Sequence, residues 1–138
     1  MKKLNITAEA FELMQKHAEA TYPNECVGFF YGKEDDTIRY IEEAREVPNS
    51  KEGDQRRRFE VHPKDYMQAE RYALENDITL LGVYHSHPEH PAIPSEHDLK
   101  VAQPFFSYII VSVKGGKSVK VRSWQLNNEN IFEEEEIG

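Results

Sequence analysis

Two histidines and an aspartate between residues 83 and 99 have the types and the spacing of a metal site. His85 and His87 are two positions apart, so on a strand their side chains point to the same face of the sheet. Asp98 follows where a short helix is predicted to begin, close enough to return to that face. Two imidazoles and a carboxylate form a three-ligand zinc set that leaves one position for water, which is typical of a catalytic site.

The pair Ser95 and Asp98 also has a purely structural interpretation. Ser-x-x-Asp is close to a capping box, in which the serine caps a helix and the acidic side chain reaches back to it. Beside the two histidines, Asp98 is predicted to be an anionic ligand, and Ser95 is predicted to cap the helix and point its hydroxyl into the site. Iron, cobalt or manganese would also suit two histidines and an aspartate, so zinc is a preference.

A zinc hydrolase needs a base that takes a proton from the attacking water. Glu25 lies just before a predicted strand over residues 27–31 and is the candidate. Taken alone, it would be interpreted as an ordinary exposed glutamate, because glutamates are rarely buried.

The elements that must position these residues alternate between helices and strands, which predicts a mixed α/β fold. A polar, turn-rich loop is expected over residues 47–55, and residues 127–138 are expected to form an edge strand or a loose tail. The predicted helices cover residues 7–21, 63–75 and 95–102, and the predicted strands cover residues 27–31, 37–41, 57–61, 78–87, 108–113 and 119–125.

Length, charge and cysteine content limit the possible functions. The chain has 138 residues and a net charge of -8, which argues against a nucleic-acid partner because a phosphate-binding surface needs basic residues. One domain over residues 1–138 is expected. The lone Cys26 excludes an intrachain disulfide and suits a cytoplasmic protein. We expect no signal peptide and no membrane partner, since no apolar run is long enough.

Together, these motifs resemble the JAMM (MPN+) zinc metalloprotease family. The resemblance rests on His-Ser-His at residues 85–87, then seven residues, then Ser-Glu-His-Asp at 95–98, with Glu25 upstream in the sequence PNECVG. Many members have a cysteine two residues after the glutamate, whereas here Cys26 follows Glu25 directly. A small buried thiol is therefore the expected role of Cys26.

The resemblance implies a cytidine-deaminase-like domain in three layers, with a curved mixed sheet flanked by helices. It implies one zinc per chain held by His85, His87 and Asp98, Glu25 as general acid and base, and Ser95 as a donor to the oxyanion. Members cleave peptide or isopeptide bonds, typically after the C-terminal glycines of ubiquitin-like proteins. The compact chain looks most like stand-alone prokaryotic members that act on sulfur-carrier proteins.

Other interpretations remain open at this point. A non-catalytic MPN scaffold that binds proteins is the main alternative, although the complete ligand set argues against it. A DNA-repair branch shares the His-x-His and Ser-x-x-Asp pattern, but the acidic charge disfavours it. A nucleoside deaminase would need a Pro-Cys-x-x-Cys ligand pair that the chain lacks. The sequence does not predict which carrier is the substrate, whether a linear peptide bond or an isopeptide bond is cleaved, or what the oligomeric state is.

The other histidines and the basic run are expected to lie outside the site. His17 is expected on an exposed helix face, His62 at a helix start, and His90 and His97 at the surface. The run Arg56 to Arg58 is expected to be solvated, or to attract an acidic partner.

Overall fold

The structure is a computed structural model that describes residues 2–138, and its mixed α/β architecture confirms the predicted fold class. Seven strands and three helices occur within these residues. In chain order they are β1 (Lys3–Ile6), α1 (Ala8–Thr21), β2 (Val27–Glu34), β3 (Ile38–Val47), α2 (Pro63–Glu75), β4 (Thr79–Pro88), α3 (Glu96–Val101), β5 (Ser107–Lys114), β6 (Lys117–Leu126) and β7 (Phe132–Glu135).

All seven strands belong to one sheet, in the order β1-β3-β2-β4-β5-β6-β7. The histidine-bearing strand β4 lies at the centre, antiparallel to β2 and parallel to β5. The backbone of residues 85 and 87 is therefore held by ladder hydrogen bonds to neighbouring strands, which gives the two side chains a rigid base.

The sheet is curved so strongly that its two edges meet. The N–H of Leu4 in β1 donates to the carbonyl of Glu136, at 2.8 Å, and the N–H of Gly138 donates to the carbonyl of Leu4, at 2.9 Å. Strand β1 pairs with β3 on its other side. The residues that follow β7 thus close the sheet against its first strand.

Helices cover both faces of the sheet and give three layers. Met14 and Ala18 of α1 pack on one face with Tyr84, while Ala69 of α2 packs on the other face with Val83. The central strands β2 and β4 are consequently buried on both faces, which explains their nearly continuous apolar sequences. No helix in residues 2–138 has both the length and the apolar character needed to cross a bilayer.

The predicted helices are confirmed, but the strand predicted over residues 57–61 is wrong. This segment has no strand neighbour, because its backbone groups are bound by the preceding loop. The Asn49 amide donates to the carbonyl of Arg58 at 3.2 Å and accepts from the N–H of Glu60 at 3.1 Å. Strand β1 was missed, since four residues carry little local signal.

The last residues contain a strand rather than a loose tail. Strand β7 pairs antiparallel with β6 and buries Glu135. The hydroxyls of Ser107 and Ser123 donate to the two carboxylate oxygens of Glu135, at 3.0 and 2.8 Å. Arg39 in turn donates to the Ser107 hydroxyl at 2.8 Å, so a buried polar network joins distant strands.

Candidate metal centre

Three predicted ligands meet at the end of β4. His85 and His87 project from this strand, and Asp98 projects from the first turn of α3; all three are buried. One ligand atom from each of them lies within 4.8 Å of the other two. The structure therefore brings together the side chains that sequence spacing had grouped.

The start of α3 combines the two roles expected of Ser95 and Asp98. The Ser95 hydroxyl accepts from the N–H of Asp98 at 3.1 Å, and the Asp98 carboxylate accepts from the N–H of Ser95 at 2.9 Å. This is a complete capping box. The same carboxylate also lies 3.1 Å from His87 Nε2 and 3.3 Å from His85 Nε2. Helix capping thus fixes the orientation in which Asp98 faces the histidines.

The donor chemistry of this cluster fits a cation. His87 Nδ1 lies 2.8 Å from the carbonyl oxygen of Pro91, which can only accept, so Nδ1 carries the hydrogen. His87 Nε2 then presents a lone pair, at 3.2 Å from His85 Nε2 and beside the Asp98 carboxylate. Several electron pairs that point to one place suit a bound cation, which would accept them. An imidazole that is oriented by a carbonyl oxygen is common among metal ligands.

The protonation states of the cluster agree with this interpretation. Burial holds the pKa of His85 below its ordinary value, which favours the neutral imidazole. Burial by itself would raise the pKa of Asp98, but positive charge facing the carboxylate from the side of the histidines and the N–H of Ser95 hold it well below its usual range. Neutral histidines and an ionised aspartate are the forms that bind metal.

Glu25 lies beside the cluster and is buried, contrary to its ordinary interpretation as an exposed glutamate. Within residues 2–138, two buried side-chain atoms lack a hydrogen-bond partner: Glu25 Oε1 and His85 Nδ1. Burial, and then the negative charge of Asp98, raise the pKa of Glu25 to about 9. A nearby positive charge would lower it again.

The loop before α2 positions Glu25 through its backbone. The N–H of Glu25 donates to the carbonyl of Gln55 at 2.7 Å, and the Asn49 amide donates to the carbonyl of Glu25 at 3.1 Å. The polar loop expected over residues 47–55 is thus tied to the candidate base.

Phe59 is part of the site, although sequence reasoning missed it. Its ring lies over the His85 imidazole, with centroids 4.5 Å apart, and is itself buried. His97 Nε2 donates to the carbonyl of Phe59 at 3.1 Å, so His97 is half-buried rather than a surface residue. The aromatic side chain of Phe59 was the signal that the sequence offered for this role. The strand predicted over residues 57–61 assigned Phe59 to the sheet instead.

A cavity of about 330 Å³ opens beside the cluster. Glu25, His87 and Ser95 form one part of its lining, and Arg57 forms another. The remaining wall consists of residues that follow β4: His90, Pro91 and Ile93. The cap uses an acceptor position of the Ser95 hydroxyl, so its hydrogen remains available to a ligand in this cavity.

The remaining histidines lie outside the cluster. His17 is not exposed as expected, because its Nδ1 lies 2.7 Å from the Tyr84 hydroxyl and its ring is half-buried. His62 caps α2 by accepting from the N–H of Lys64, as its predicted place at a helix start suggested. His90 is exposed.

Comparisons with known proteins match the part of the chain that contains the candidate site. Residues 7–127 match a family model described as prokaryotic homologs of the JAB domain. Among solved structures, protein DSY2949 from Desulfitobacterium hafniense is 31% identical, with a TM-score of 0.85 over 98% of this chain and 91% of that chain.

Three curated relatives have names that describe cleavage. The desampylase of Pyrococcus furiosus is 28% identical over 82% of this chain and 74% of its own. A probable TtuB-protein conjugate cleaving protease of Thermus thermophilus is 29% identical over 81% and 72%. The CysO-cysteine peptidase of Mycobacterium tuberculosis is 25% identical over 95% and 88%.

Proposed function

Because this chain belongs to the prokaryotic homologs of the JAB domain, as the resemblance in its motifs implied, we propose that it is a zinc-dependent metallopeptidase. The proposed substrate is a ubiquitin-like or sulfur-carrier protein, cut after its C-terminal Gly-Gly. The observation that carries the proposal is the convergence of His85, His87 and Asp98 beside the buried Glu25, on an accessible cavity. The relatives named for peptidase or conjugate-cleaving activity support it.

In this proposal, His85, His87 and Asp98 hold one zinc ion per chain. Two neutral imidazoles and one carboxylate leave a coordination position open, which is the ligand count of catalytic rather than structural zinc. When bound, zinc would act as a Lewis acid. It would lower the pKa of a water molecule to about 7, so that hydroxide is available near neutral pH. The His85 and His87 rings are already oriented by β4 and, for His87, by the carbonyl of Pro91.

Glu25 acts as the general acid and base. Its unpartnered Oε1 and its place in the cavity lining allow it to accept the proton of the attacking water. The same carboxyl group then delivers that proton to the leaving amine. Both steps use one carboxyl group, so no second acid is needed.

Ser95 stabilises the oxyanion that develops on the scissile carbonyl. Its hydroxyl borders the cavity, and its oxygen is held in place by the N–H of Asp98. A donor that is already in place before the reaction needs little reorganisation. It therefore lowers the free energy of the transition state where negative charge develops.

Metal content and cleavage together test the proposal. We would measure zinc by elemental analysis in tag-free wild type, Asp98→Asn and the control Asp36→Asn, which makes the same change at an exposed residue. About one zinc per chain is expected in wild type and control but not in Asp98→Asn. Wild type is also expected to remove a C-terminal extension from a Gly-Gly carrier. Wild type that takes up no zinc would overturn the proposal and favour the scaffold interpretation.

A further inference from the structure

The cavity beside the candidate metal centre is lined by a positively charged side chain that has no role in the proposed chemistry. Arg57 is exposed and lines this cavity together with Glu25. Within residues 2–138 its guanidinium forms no hydrogen bond or ion pair, whereas the neighbouring Arg56 is bound to Asp54 at 3.0 Å. Among the described residues the guanidinium of Arg58 also lacks such a partner, but it lies outside the cavity, so the position of Arg57 is what sets it apart.

The rest of the cavity limits what the guanidinium can bind. The lining also includes Pro91 and Ile93, which are exposed and apolar, and His90. The volume of about 330 Å³ is at the small end of ligand pockets, so it suits one residue rather than a folded partner. The cavity therefore favours a small group that has an anionic part for Arg57 and an apolar part for Pro91 and Ile93.

We propose that Arg57 binds the free α-carboxylate of the residue that leaves, so that the enzyme removes a single C-terminal amino acid from a Gly-Gly terminus. This inference rests on the proposed function and names its substrate class. In such a substrate the carboxylate is joined to the scissile nitrogen through one α-carbon. It must therefore lie next to Glu25, in the cavity that Arg57 borders. A guanidinium pairs with a carboxylate through two parallel hydrogen bonds.

An isopeptide substrate would use the same cavity poorly. Its leaving group is a lysine side chain, which places an uncharged methylene chain beside the scissile nitrogen. Arg57 would then gain no anionic partner, so such a substrate would lack the charge-assisted hydrogen bonds that a terminal carboxylate forms. The cavity thus discriminates by charge between a terminal amino acid and a protein conjugate.

Paired peptides test this assignment. Two peptides that end in Gly-Gly-Ala, one with a free carboxylate and one with a carboxamide, would be given to zinc-loaded wild type, Arg57→Gln and Arg58→Gln. Arg58 is the matched control because its side chain is exposed and lies outside the cavity lining. We expect wild type and Arg58→Gln to prefer the acid by roughly 10-fold or more in kcat/KM. Arg57→Gln should lose that preference by slowing only on the acid.

A binding measurement separates recognition from turnover. Zinc-loaded Glu25→Gln, titrated with each peptide by calorimetry, should bind the acid more tightly, and the double variant with Arg57→Gln should bind both alike. If wild type cleaves both peptides equally, the assignment of Arg57 is overturned while the proposed function stands. If wild type cleaves neither peptide and a Gly-Gly isopeptide of lysine is cleaved instead, again only Arg57 is overturned. Cleavage of none of the three by an enzyme that does cleave an extended Gly-Gly carrier overturns Arg57 alone, and failure on the carrier as well overturns both.

Discussion

The phenyl ring of Phe59 lies over the imidazole of His85, with a centroid distance of 4.5 Å and an angle of 31° between the rings. His97 holds this part of the loop by donating to the carbonyl of Phe59. One candidate metal ligand is therefore packed against a residue of a loop, not of a strand. The loop contributes to the candidate metal centre as well as to the cavity.

Replacing Phe59 tests this contribution. Phe59→Leu should lower the free energy of unfolding by about 1 kcal/mol, because leucine retains apolar volume but not the ring contact. It should also weaken zinc binding, since His85 would lose the ring that holds its orientation. Denaturant unfolding with and without a chelator measures both. Phe105→Leu, at a residue that is 49% exposed, is the control and should leave zinc affinity as it is.

The Glu25→Gln variant should separate metal binding from catalysis. Glutamine resembles the protonated form that burial favours for Glu25, so folding and zinc content should match wild type. Hydrolysis of a Gly-Gly substrate should fall by about 100-fold or more, because an amide cannot carry the proton. Glu60→Gln, at an exposed residue of the same loop region, should keep full activity. Normal activity in Glu25→Gln would show that another group is the base.

Strand pairing around Gly28 leaves no space for a side chain. A Cβ atom at this position would lie 2.5 Å from the carbonyl oxygen of Arg45 and would overlap the ring of Tyr84. Gly28→Ala should therefore cost about 1–3 kcal/mol of stability in denaturant unfolding. It should also reduce zinc content, because the adjacent Val27 pairs with His85. Gly53→Asn is the control, since that position is open and asparagine tolerates its positive φ.

Glu135 should make stability depend on pH. Burial raises the pKa of Glu135, although the hydroxyls of Ser123 and Ser107 and the charge of Arg39 oppose this shift. A carboxyl group whose pKa is higher in the folded state favours folding when protonated, so its contribution declines as pH rises above the ordinary glutamate value. Glu135→Gln should remove this decline. Unfolding free energies at pH 5 and pH 7, compared between the variant and wild type, measure it.

A matched substitution identifies the source of that pH effect. Glu136→Gln removes the same charge from the next residue, which is exposed. It should leave the difference between pH 5 and pH 7 as it is in wild type. An equal change in both variants would mean that net charge, rather than the burial of Glu135, governs the dependence.

The parts of the site that could be predicted are those encoded by short spacing. The i, i+2 placement of His85 and His87 defines a common face on any strand, and Ser95 and Asp98 form a local cap whatever surrounds them. Their convergence required only that the connection from β4 to α3, residues 89–95, bring the chain back to the end of the strand. The predicted mixed α/β class rests on equally local periodicities.

The parts that could not be predicted depend on contacts between distant residues. Phe59 reaches His85 only because the Asn49 side chain takes the backbone hydrogen bonds that a strand over residues 57–61 would have needed. Arg57 enters the cavity through the same loop. Nothing in the alternation of residues 57–61 distinguishes this arrangement from a strand, since the deciding partner is a side chain outside the segment.

The bonds between Leu4 and residues 136–138 join positions separated by nearly the whole chain. The two ends of this contact are far apart in sequence. Bringing them together costs loop-closure entropy before the contact itself contributes any stability. During synthesis, β1 can pair with β3 early but has no partner on its other side until residues 136–138 have left the ribosome. Until then, β1 is an open strand edge available to other chains. We therefore expect chains that lack residues 136–138 to aggregate more readily than chains that contain them.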